Sequence, residues 1–211
     1  MDKRFLLILA ALVLIIGGIF FFTKAKTSAP GQGGTNKAAS SHAQGDNKKV
    51  VLVEYGDYQC PACGQFYPIV KQLQAKYAND ITFRFANFPL IQIHKNAMVG
   101  ARAAEAAALQ GKFWEMHDLL YENQNTWSAS SDPNPYFVQY ASSLGLDITK
   151  FKQDMASQAV LNTINADTSE AQATGATGTP TFVLNGKKIE NPSTYEAFSA
   201  LIDQAIKDAN K

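Results

Sequence analysis

The chain has 211 residues, of which 46% are apolar, 11% aromatic and 18% charged, with a formal net charge of +1. That apolar and aromatic content suits one globular domain with a core and argues against a disordered chain. The charge is uneven: residues 1–49 hold seven Lys/Arg and two Asp/Glu, while residues 50–211 hold twelve and sixteen. The part that would fold is therefore mildly acidic, which argues against nucleic-acid binding.

Residues 1–22 contain an uncharged run of eighteen residues from Phe5 to Phe22. As a helix it would cover ~27 Å, close to the ~30 Å hydrocarbon core of a bilayer. A signal-peptide core is shorter, about 7–15 residues, so the length favours an uncleaved single-pass anchor over a cleaved signal. Lys3 and Arg4 before the run and Lys24 and Lys26 after it give only a weak orientation signal. No cysteine stands directly after the run, which excludes a lipid-modified N-terminus. Anchor and signal both place the remainder outside the cytoplasm, where disulfide chemistry is permitted. Residues 23–47 are almost free of large apolar side chains and read as a flexible linker to a domain at 48–211.

That domain opens with Lys49 to Tyr55, a β-branched run that predicts a buried strand, broken by Gly56-Asp57. A helix is expected from Cys60 or Pro61 to Tyr77, with Phe66, Ile69, Val70, Leu73 and Tyr77 on one face and a kink at Pro68. Ile81 to Phe85 alternates with period two and predicts a second strand reaching Phe88. Helical patterning then fills about 94–174, with an Ala-rich first part, a stripe through Phe113 and Leu120, a loop at Pro133 and Pro135, and Asp147 as an N-cap. Thr181 to Leu184 reads as a third strand, and Asn185-Gly186 as a hairpin turn into Lys187 to Ile189. Ser193 or Thr194 caps a last helix that ends near Ala209. The order is an α/β one: a βαβ half and a ββα half separated by a helical insertion.

The only two cysteines are Cys60 and Cys63, a C-x-x-C just after a strand and at a helix N-terminus. That placement is a redox arrangement. A structural zinc site needs four ligands, and His42, His94 and His117 are scattered, so no metal and no cofactor is expected. A purely structural disulfide would close too small a ring to stabilise much.

The C-x-x-C after a strand, an acid at Glu54 six residues earlier, Thr179-Pro180 before a hairpin, the helical insertion and the phrase Gly111-Lys112-Phe113-Trp114-Glu115-Met116-His117 together resemble the DsbA-like thiol-disulfide oxidoreductases. The resemblance covers about residues 48–209 and implies a thioredoxin fold with a helical domain inserted between its halves. It implies Cys60 as the nucleophile, Cys63 as its buried resolving partner, and Glu54 as a buried acid that relays a proton to Cys63. It also implies a cis bond at Thr179-Pro180 facing the disulfide, with the Thr179 backbone pairing with an extended substrate. Family members often have His at the position of Ala62, so the thiolate here is expected to rest mainly on backbone N–H groups and the disulfide to be a weaker oxidant. Tyr58 and Phe66 are expected to line an apolar substrate groove, whereas His94, His117, Trp114 and Trp127 need no function.

The expected function is an extracytoplasmic, membrane-tethered monomer that forms disulfides in reduced exported proteins or peptides. By family alone, a quinone-linked membrane reoxidase of the DsbB or vitamin K epoxide reductase type would regenerate it. A reductase or isomerase using the same residues, and a non-catalytic envelope binding module, are the alternatives.

Overall fold

A short strand precedes the domain start that composition suggests. In a computed structural model that describes residues 42–45 and 48–211, β1 (Ala43–Gln44) pairs antiparallel with β3 (Ile81–Asn87) at Ala43↔Arg84 and Gln44↔Phe83. Composition predicts linker here, because the stretch has no large apolar side chain. What holds it is long-range: a free backbone edge on β3, and His42, whose ring stacks 3.4 Å from Phe113 and whose Nε2 lies 2.8 Å from a Glu105 carboxylate oxygen. The expected membrane span at Phe5–Phe22 lies outside the described residues. Among the described residues no helix is long and apolar enough to cross a membrane.

The sheet order is β1-β3-β2-β4-β5, with β2 at Val50–Gly56, β4 at Thr181–Leu184 and β5 at Lys187–Ile189. Strands β2 and β3 run parallel, joined through helix α1 (Pro61–Lys76), while β2–β4 and β4–β5 are antiparallel. The β4–β5 turn uses Asn185 and Gly186, both at positive φ (50° and 77°), as its Asn-Gly sequence predicts. Between β3 and β4 lie six helices: α2 (Ala97–Ala108), α3 (Phe113–Glu122), α4 (Gln124–Trp127), α5 (Asn134–Ser143), α6 (Ile148–Ala156) and α7 (Gln158–Ala173). Helix α8 (Tyr195–Ala209) closes the chain. Asp147 and Thr194 cap α6 and α8 through side-chain bonds to the N–H groups of Lys150 and Ala197. Helix α1 carries Pro68 in its interior, as the sequence predicts.

Period-two alternation sends the two faces of β2 to different layers. Leu52 joins Val70, Leu73, Phe83, Phe85, Phe182 and Phe198 under α1 and α8, whereas Val53 and Tyr55 join Ala86, Val183 and Ala171 against α7. Eight of the twelve residues of α2 are buried, six of them Ala and one Gly. Side chains that small let α2 sit centrally among α3, α6 and α7.

Gly56, the last residue of β2, is required by close packing. A Cβ there would overlap the buried Phe85 ring and come 3.0 Å from Tyr121 Oη. Gly56→Ala is expected to cost about 1–3 kcal/mol, as overpacking a filled core does. A lower urea midpoint with an unchanged m-value checks this.

Candidate redox site

Strand β2 delivers the chain to a turn at Asp57–Gln59, and Cys60 is the N-cap of α1 with extended backbone angles (φ −69°, ψ 122°). Pro61 opens the helix, where its missing N–H would have no partner in any case. The turn is held from three sides. Asp57 Oδ1 accepts from the Gln59 N–H at 2.8 Å, and its carbonyl accepts from the Cys60 N–H at 3.0 Å. Asp57 Oδ2 meets the Leu90 N–H at 3.0 Å and His94 Nδ1 at 2.7 Å, from the loop after β3. Gln124 of α4 donates through Nε2 to the carbonyls of Tyr58 and Cys60, at 2.8 and 2.9 Å. The helical insertion thus fixes the redox loop from outside the thiol-bearing half.

Both cysteines are free thiols. Cys60 retains 6% exposure and Cys63 none. The Thr179–Pro180 bond is cis, and the Thr179 carbonyl lies 3.4 Å from Cys60 Sγ, accepting from it when it is protonated. Thr179 Oγ1 is buried and has no hydrogen-bond partner among the described residues, so it can donate once the sulfur ionises. A shallow groove of about 440 Å³ runs along Thr177, Thr179, Pro180, Glu190 and Asn191.

The two thiols are pushed apart electrically. Cys60 falls to about 5, first because the Cys63 thiol donates to it; burial opposes this, and the Thr179 side chain and the backbone N–H groups of Cys63 and Ala62 add to it. Cys63 rises well above its ordinary value, chiefly through burial, then through its bond to Cys60. The Asp57 N–H, 3.5 Å from Cys63 Sγ, works the other way. The expectation that backbone N–H groups dominate is therefore corrected: the partner thiol contributes most.

Glu54 sits opposite Phe85 on one side and Phe182 on the other. It is 2% exposed, and burial pushes its carboxyl up to about 8. It shares the face of β2 that carries Leu52, the face on which Cys63 lies. The structure therefore brings Cys60, Cys63, Glu54, Thr179 and Pro180 to one end of the sheet. It does not bring Tyr58 to a groove: the ring is 1% exposed and packs on Phe85 and Tyr121. Phe66 is half-buried against Phe182. Sequence reasoning missed Asp57, His94 and Gln124. The one local clue was Asp57, an acid in the break directly after an apolar strand; Gln124 stands among the polar residues Glu122 to Thr126 and carries no such signal.

The thioredoxin family profile matches residues 37–204. The Na(+)/H(+) antiporter NhaA 3 of Salinispora tropica is 37% identical over 169 residues, 80% of this chain and 25% of that protein. The chain spans about a quarter of the length of the curated relatives it matches. Among solved structures, a thioredoxin-like oxidoreductase from Silicibacter pomeroyi DSS-3 is 26% identical, with a TM-score of 0.65 over 78% of this chain and 91% of that one. The alpha-DsbA1 of Wolbachia pipientis is 20% identical, with a TM-score of 0.70 over 80% and 92%, and shares the fold.

Proposed function

Because the chain belongs to the thioredoxin family, in its DsbA-like branch of thiol-disulfide oxidoreductases, we propose that Cys60 and Cys63 perform its thiol-disulfide exchange in the oxidising direction, on exported proteins or peptides. The observation that carries this reading is the Cys60 thiol lowered to about 5 beside a Cys63 thiol raised by burial. A stabilised thiolate stabilises the reduced form and so makes the disulfide a stronger oxidant.

In the cycle, a substrate thiolate attacks Cys60 Sγ of the Cys60–Cys63 disulfide. The S–S bond breaks, Cys63 leaves as a thiolate, and the Glu54 carboxyl, neutral below about pH 8, gives it a proton. A second substrate thiolate attacks the substrate sulfur of the mixed disulfide and displaces Cys60. The substrate leaves with a new disulfide, and two electrons remain on the Cys60/Cys63 dithiol. Thr179 and Pro180 hold the extended substrate by backbone pairing beside the sulfur. Residues 5–22 anchor the domain at the outer face of the membrane, and the segment before His42 is its tether. A quinone-linked membrane reoxidase returns the dithiol to the disulfide.

The test is equilibration of the purified chain with glutathione buffers. A reduction potential above about −200 mV is expected. One near thioredoxin's ~−270 mV would overturn the oxidase direction.

A further inference from the structure

Beneath Cys63 lies a set of polar atoms that exchange at Cys60 does not use. Tyr121 of α3 places its hydroxyl where Gly56 leaves room beside β2, 3.0 Å from the position a Cβ would take. Gly56 and Glu54 are two residues apart on one strand and share a face. The Tyr58 ring lies 5.0 Å from the Tyr121 ring, and His117, one turn earlier on α3, lies 5.1 Å from Tyr121 and 5.6 Å from Tyr58. All three side chains are more than nine-tenths buried. Tyr58 Oη, Tyr121 Oη and His117 Nε2 are each shielded and have no hydrogen-bond partner among the described residues.

An unmade buried hydrogen bond costs about 1–3 kcal/mol. Three in one cluster would consume much of a domain's net stability of about 5–15 kcal/mol. Buried polar groups in that position are satisfied by internal water. The far side of the cluster reaches solvent: His117 Nδ1 lies 3.2 Å from Asp118 Oδ1, and half-exposed Lys71 donates to Asp118 Oδ2 at 2.8 Å.

We infer that Tyr58, Tyr121 and His117 hold internal water and form a proton route from Glu54 to the surface at Asp118. The inference rests on the reading of Glu54 as the proton donor to Cys63. When Cys63 leaves the disulfide it takes the Glu54 proton. Glu54 is then reprotonated through the hydroxyls, each of which gives up one proton and receives another, and the imidazole receives on one nitrogen and releases from the other. The net transfer is one proton from solvent to Cys63 Sγ, and reoxidation runs it backwards. The groups facing His117 are Asp118, Lys71 and His42, besides the tyrosines. Burial holds the imidazole below its ordinary range, so it rests neutral, as a relay must. Tyr58 and Tyr121 both feel the Glu54 charge. Tyr121 therefore acts as a positioning and relay residue rather than as a thiol contact.

The experiment is single-turnover reduction of the full oxidised chain by a peptide dithiol, in H₂O and D₂O, for the parent, Tyr121→Phe, His117→Gln and Glu54→Gln. Tyr121→Phe and His117→Gln should each slow the proton uptake from solvent that follows Cys63 release, read with a pH-indicator dye in the same mixing experiment, at least about tenfold and enlarge its solvent isotope effect. The alkylation midpoint of Cys60 should stay in place. If Glu54→Gln releases Cys63 slowly while both other variants take up the proton at the parent rate, the route is overturned and the Glu54 reading stands. If Glu54→Gln itself runs at the parent rate, the Glu54 reading falls and the route falls with it. Should the cluster variants fail to fold, a high-resolution crystal structure of the parent decides. Ordered water bonded to Tyr121 Oη and His117 Nε2 supports the route, and a dry cluster overturns it.

Discussion

Cys60→Ser should abolish oxidation of a peptide dithiol, lowering the rate by more than about a thousandfold, while the chain stays folded. The serine hydroxyl is not ionised at neutral pH and forms no disulfide, so both exchange steps are lost. Cys63→Ser should behave differently. Cys60 remains a thiolate but can form no intramolecular disulfide, so the dithiol is not oxidised. Given oxidised glutathione instead, Cys60 should attack one of its sulfurs, expel one glutathione thiolate and stay as a mixed disulfide that no Cys63 thiol resolves, visible by mass spectrometry. A non-catalytic envelope binding module would lose no activity in either variant. The same chemistry fixes a pH profile for the reduced parent. Iodoacetamide reacts with the thiolate, so Cys60 alkylation should be half-maximal near pH 5, against ~8.5 for an unperturbed cysteine. Cys63 should stay unmodified at neutral pH, being buried and pushed above its ordinary value. Cys63→Ser also removes the largest support of the Cys60 thiolate, so its own alkylation midpoint should rise. A parent midpoint near 8.5 would remove the basis of the oxidase reading.

What the sequence reveals about this site follows from the range of the interactions that build it. The C-x-x-C, the Asn185-Gly186 turn and the Asp147 and Thr194 caps are local: each is decided within about four residues, and the structure has each in place. Glu54 is legible because a lone acid interrupts an apolar strand. Gln124 is not legible, since it clamps carbonyls 64 and 66 residues away. Nor is His94, which reaches Asp57 across 37 residues. Strand β1 has no strand-like composition and exists because β3 offers an edge and Glu105 a partner for His42. Tyr58, two residues from the nucleophile, reads from the sequence as a groove residue. Its side chain turns inward because Phe85 and Tyr121 form an aromatic pocket that only the tertiary fold creates. The local half of the site is readable, whereas the second layer that holds it is not.

Glu54→Gln should make the reduced chain more stable, by an amount that depends on pH in one direction only. In the unfolded chain Glu54 loses its proton near 4.5, whereas in the folded chain it keeps it until about 8. Between those values the unfolded state binds fewer protons than the folded state, so parent stability falls as pH rises, by about 1.4 kcal/mol per unit. Below pH 4.5 both states hold the proton and burial of the carboxyl carries no such cost. Above pH 8 the loss is complete, on the order of 5 kcal/mol. The introduced glutamine keeps the shape of a neutral carboxyl and cannot ionise, so that slope disappears from the variant. The stability difference between the two reduced chains, from urea unfolding, should therefore be near zero at pH 4, grow through pH 6 and 7, and level off past pH 8. A difference that stays flat across this range would place the carboxylate in contact with water and remove it from the Cys63 step. The stabilising change and the slowed exchange belong together: the burial that destabilises the fold above pH 4.5 also keeps a proton on Glu54 at the pH where Cys63 has to take one.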